Sequence, residues 1–110
     1  MKNVLIFLAF IASFQVTAGT ASGKVTDITL RTKDDVLVVR MDNYESRPDC
    51  VTWAHPLGIV YKGELAKAIY SMLLSAQATG QRIRIQGSGK CSEGTSGYEI
   101  IEQVNLGPWG

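Results

Sequence analysis

Gly63-Glu64-Leu65-Ala66-Lys67-Ala68-Ile69-Tyr70-Ser71-Met72-Leu73-Leu74-Ser75-Ala76-Gln77-Ala78-Thr79-Gly80-Gln81-Arg82-Ile83-Arg84-Ile85, residues 63–85, decides how the chain is read. Leu65, Ala68, Ile69, Met72, Leu73 and Ala76 recur at intervals of three and four, which is the spacing of one apolar helix face. Glu64 falls in the first turn, where negative charge complements the helix dipole. Gly80 follows the last periodic residue, where a left-handed cap favours glycine. The spacing predicts a helix over 64–79, with Met72 and Leu73 in its core-facing stripe. The period then drops from 3.6 to 2: Arg82, Arg84 and Gln86 alternate with Ile83 and Ile85, as in a strand with one wet face. Arg82 and Arg84 are read as that solvated face.

Upstream of the helix the sequence is dense in β-branched residues. Residues 24–32 predict a strand whose apolar set changes parity between Val25 and Ile28, which calls for a bulge. Lys33-Asp34-Asp35 is a charged turn. Val36-Leu37-Val38-Val39 opens a second strand over 36–41, apolar on both faces. Residues 42–49 read as a polar loop containing Pro48, and 50–54 as a short third strand stopped by His55-Pro56, with 57–62 connecting to the helix. Downstream, 87–97 reads as a loop with four glycines that carries Cys91, and 98–106 as the last strand. Residues 19–22 read as a frayed start. The expected order is β-β-β-α-β-β, an all-β chain with one helix. That is the order of the OB-fold, a five-stranded Greek-key barrel.

The ends of the chain carry separate information. Lys2 and Asn3 precede about ten apolar residues from Val4, and Val16-x-Ala18 is a small-residue cleavage site; together they predict a secretory signal peptide over 1–18. Ser13, Gln15 and Thr17 interrupt the run well short of the ~20 apolar residues a membrane span needs, so no stable membrane insertion is expected. Residues 19–110 then form a single domain, exported through the inner membrane to the periplasm or beyond. All three Phe leave with the leader, and losing Lys2 brings basic and acidic residues into balance. That balance argues against a nucleic-acid partner, which needs a basic footprint.

Cys50 and Cys91 are the only cysteines, and an even pair in an exported chain is most simply a disulfide. By chain entropy it would stabilise by about 4 kcal/mol. A metal centre would need more ligands than these two and His55 supply, and no cofactor is expected.

The 63–85 stretch, a helix closing on a small-residue–Thr-Gly-Gln step and then a strand of alternating Arg and Ile, resembles the B subunits of the subtilase-cytotoxin and typhoid-toxin type. Gly23-Lys24-Val25 and Gly87-Ser88-Gly89-Lys90-Cys91 are similar to a wider group of small exported bacterial proteins. The resemblance implies an OB-fold, export, a disulfide, and a pentameric ring of identical subunits that binds sialylated glycans. Glycan-binding members carry tyrosines near the helix end, where this chain has Ser75, Ala76 and Gln77. The fold carries over and the sugar-contacting residues do not.

No reaction is legible. His55 is the single histidine and stands beside Pro56, and Asp34-Asp35 are neighbours whose side chains point apart. The expectation is a non-enzymatic binding protein for a cell-surface glycan. The other reading is a small periplasmic structural or inhibitory protein that docks an exported partner by a sheet edge or loop. Sugars are bound by aromatic faces and hydrogen-bonding side chains, so Trp53, Tyr44, Tyr61 and Tyr98 are candidate platforms, with Arg47 for an anionic group. In a domain without Phe, Trp53 on a short strand reads first as a core residue and only second as a platform, and Tyr70 reads as an ordinary residue of an amphipathic helix. Trp109, in the terminal Gly-Pro-Trp-Gly, reads either as a lid or as a subunit contact.

Overall fold

A computed structural model describes residues 17–107 of the chain. The proposed leader (all but its last two residues) and Trp109 lie outside the described residues. Five strands and one helix follow in the order β1 (Thr20–Arg31), β2 (Val36–Glu45), β3 (Leu57–Val60), α1 (Gly63–Thr79), β4 (Ile83–Cys91) and β5 (Glu99–Leu106). The strands hydrogen-bond in the order β1-β2-β3-β5-β4 and β4 returns to β1, so the sheet closes on itself as a ring. Neighbours pair antiparallel except β3 and β5, which run parallel for two residue pairs, Leu57 with Glu99 and Gly58 with Ile100.

Closure depends on β1 bending. Its register against β2 shifts between Ser22 and Val25 and again between Val25 and Asp27, where the sequence changes parity. Residues 20–22, part of the start expected to be frayed over 19–22, instead pair on both sides, with Asn43–Glu45 of β2 and Arg84–Gln86 of β4. Bulges steepen local twist, and here they let one strand serve two neighbours.

Inside the ring lie Ala21 and Val25 of β1, Leu37, Val39 and Met41 of β2, Leu57 of β3, Ile83 and Ile85 of β4 and Ile101 of β5. Helix α1 closes this core with Ile69, Leu73 and Ala76. It stops at Gly80, whose φ of 70° is the left-handed conformation that glycine adopts without steric cost. The buried stripe is Ala66, Ile69, Leu73 and Ala76. This corrects the expected face by part of a turn: Leu65 is 73% exposed, Ala68 is exposed and Met72 is only half-buried.

The expected third strand is also corrected. Residues 50–54 form no strand, and β3 is Leu57–Val60, the segment read as a connection. Leu57 is fully buried in the ring, and the Gly58 backbone sits so close to Leu37 that an added Cβ would lie 2.8 Å from the Leu37 carbonyl oxygen. Residues 50–54 instead lie over the outer face of β2. Thr52 N–H donates to the Gly97 carbonyl at 2.9 Å, and Gly97 N–H to Thr52 Oγ1 at 3.1 Å. Cys50 and Cys91 are joined in a disulfide with Cα atoms 6.1 Å apart. Under this flap Val36, Val38 and Tyr98 form a second cluster with Trp53 and Ile100 against it, which is why β2 is apolar on both faces.

The glycine loop expected from residue 87 likewise begins later, because β4 continues to Cys91. Its glycines leave room for a side chain arriving from β5, described below.

Candidate functional site

Strand alternation sends adjacent residues to opposite faces. At Tyr98 and Glu99 it creates two polar sites one peptide bond apart.

On the outer side, Tyr98 is buried beneath Trp53, the rings meeting edge to face with centroids 5.2 Å apart. The Arg31 guanidinium lies over the Trp53 ring, 4.5 Å from its centroid, and Arg31 Nε is 3.4 Å from Asp34 Oδ1. Thr29 and Arg31 from β1, Val38 from β2, and Trp53, Ala54 and His55 from the flap line an open depression of about 380 Å³. His55 Nε2 is 3.4 Å from Thr29 Oγ1. Burial raises the Tyr98 pKa above the ordinary tyrosine value, helped by the negative charges of Asp34 and Glu93. The depression thus combines an indole edge, a guanidinium, an imidazole and a hydroxyl, an arrangement suited to packing against a ring while donating hydrogen bonds to polar or anionic substituents.

On the other side, Glu99 has no exposed surface. One carboxylate oxygen accepts from the Tyr44 hydroxyl at 2.5 Å. The other accepts from two backbone N–H groups, Gly89 at 2.7 Å and Gly19 at 3.0 Å. A Cβ on Gly87 would overlap the Glu99 carboxyl group, so residue 87 must lack a side chain for Glu99 to enter. Burial pushes the Tyr44 pKa well above the ordinary value; the hydrogen bond to Glu99 and its negative charge push the same way, and Arg47 opposes them.

The four predicted binding residues do not converge. Trp53 and Tyr98 touch, with Trp53 partly open and Tyr98 covered. Tyr44 is half-buried and held by Glu99. Arg47 is exposed and donates to the Val51 carbonyl at 3.3 Å, and the cation beside the indole is instead Arg31 at the end of β1. Tyr61 stands edge-on to Tyr70 in mid-helix, with centroids 5.8 Å apart, and both pack against the core. Asp34 and Asp35 occupy an exposed turn, Asp34 engaged by Arg31. Arg31, Thr29 and Glu99 escaped the sequence reading. The signal for Glu99 was faint: glycines at 87 and 89 on one face of a strand, which leave a hole that a neighbouring side chain must fill.

Among the described residues no three His, Cys, Asp or Glu side chains gather to hold a metal ion, and no helix is long and apolar enough to cross a membrane. No family model, curated protein or solved structure matches the chain.

Proposed function

We propose that the protein is an exported, non-enzymatic binding module of OB-fold type, and that the depression around Trp53 takes an anionic sugar. The observation that carries this reading is the Arg31–Trp53 stack, which offers a sugar ring an aromatic edge and a carboxylate a fixed cation in one place. The ring order β1-β2-β3-β5-β4, with the helix between the third and fourth strands, supports the OB-fold assignment. Export is supported by the tripartite leader pattern and agrees with a disulfide between the two cysteines. A binding role rather than general acid–base work is supported by the surroundings of His55 and of the buried carboxylate. His55 faces a threonine hydroxyl rather than a carboxylate, and Glu99 is fully buried with its hydrogen bonds made.

The test is a sialylated glycan panel probed with the exported protein, beside Trp53→Ala and Arg31→Gln. Binding to acidic sugars that falls at least tenfold in both variants is expected, with indole fluorescence changing on binding only when Trp53 is present. A blank across the sialylated panel removes the sugar reading.

One observation favours the second reading, a module that docks protein. Leu65 at 73% and Val60 at 50% exposure are apolar side chains left in water. Native mass spectrometry separates the cases: a pentamer supports the toxin-like module, and a monomer with a blank glycan panel supports partner docking.

A further inference from the structure

Glu99 poses an electrostatic problem. It is the single buried charged side chain among the described residues, and none of their salt bridges involves it. Its partners are a phenol and two backbone N–H groups. A buried carboxylate held only by neutral donors is costly, whereas one paired with a cation is far less so.

The cation is supplied by the position of Gly19. Its nitrogen lies 3.0 Å from Glu99 Oε2, and it directly follows the Ala18 cleavage point of the predicted leader. We infer that removal of the leader converts the Gly19 nitrogen from a peptide N–H into an α-ammonium group, which forms a buried ion pair with Glu99 and locks the ring. The inference rests on the export reading above.

Three further features fit this role. Gly19 is itself buried, so the new terminus would not fray into solvent. Its carbonyl is fixed by Gly87 N–H at 2.9 Å, which holds the terminal residue from its other side. A side chain at 19 would push Glu99 and Tyr44 out of their present positions, because a Cβ would lie 2.6 Å from Glu99 Oε1 and 2.7 Å from the Tyr44 ring. Glycine therefore brings its nitrogen to the carboxylate without displacing either side chain, and it stands where cleavage would expose that nitrogen. The chemistry balances simply: water adds across the Ala18–Gly19 peptide bond, the new carboxylate departs with the leader, and the released amine takes up the proton and stays. The chain would reach full stability only after export.

The full chain is expressed with its leader, and the exported product is purified, weighed and melted. Two variants accompany it: one with Ser-Gly inserted between Ala18 and Gly19, which returns a peptide N–H to position 19, and Glu99→Gln. The natural-sequence product is also melted after selective acetylation of its α-amine, which needs no substitution if Glu99→Gln does not fold. A product beginning at Gly19, a melting temperature about 10 °C lower after insertion or acetylation, and a smaller penalty in the Glu99→Gln background are expected. A product beginning at Gly19 whose melting point moves by less than about 2 °C on acetylation and insertion overturns the ion pair and leaves export standing. A product that keeps its leader or begins elsewhere overturns the export reading and the inference together.

Discussion

Tyr98 and Glu99 are joined by one peptide bond and face opposite environments. Tyr98 supports an open surface: its ring underlies Trp53, and the groups around it remain partly exposed. Glu99 fills a closed one: both its oxygens are bonded, no surface is exposed, and glycines at 19 and 87 make space for it. A side that binds something must leave hydrogen-bonding capacity unspent, whereas a side that stabilises must satisfy every buried polar group. Glu99 meets the second condition, and the open face around Tyr98 meets the first, as the proposed ligand site requires.

The contrast can be broken most severely at the closed side. Glu99→Ala strands the Gly89 N–H, the Gly19 nitrogen and the Tyr44 hydroxyl around a cavity, and should lower unfolding free energy by about 4 kcal/mol in urea titrations. A loss under about 1 kcal/mol would mean that Glu99 is dispensable. Next comes the flap. Replacing both Cys50 and Cys91 by serine should cost about 3 kcal/mol and free residues 50–54 from the outer cluster, read as lost amide protection at Thr52. Unchanged protection there would show that the apolar contacts hold the flap without the bridge.

Tyr44→Phe should cost about 2 kcal/mol, since the hydroxyl donates to a carboxylate. It should also alter the alkaline limb of stability. The Tyr44 pKa is raised in the folded state, so its contribution is complete below about pH 10, the unfolded value, and is lost as pH climbs from there toward the folded value. The phenylalanine variant should therefore fall less steeply above pH 10; an identical slope would refute this. Smallest is Arg31→Gln, which removes a partly exposed cation–π contact and should cost under about 1 kcal/mol. A larger loss would make Arg31 a structural residue and weaken the proposal that it contacts a ligand.

Much of the architecture was legible from local pattern. The helix, the glycine at its end, the Arg/Ile strand and the bulge in β1 each follow from spacing within a dozen residues. The misreadings fall where local pattern is silent. Residues 50–54 and 57–60 are both short apolar runs near His55-Pro56, and nothing local distinguishes the one that pairs from the one that covers. The helix face was read with Leu65 inside because one helix alone cannot show where the ring surface ends. Arg31 and Arg47 are alike in sequence; only the bend of β1 and the path of the flap set one of them against Trp53.

The sequence by itself determined the helix and where it stops, the alternation that gives β4 an apolar face, and the cysteine pair, because each depends on periodicity, backbone conformation or covalent chemistry close to hand. Which segment became β3, which arginine met the indole, and the burial of Glu99 beside Gly19 were settled by the closed ring. Those outcomes depend on contacts between residues as many as 80 positions apart, fixed only when the ring closes.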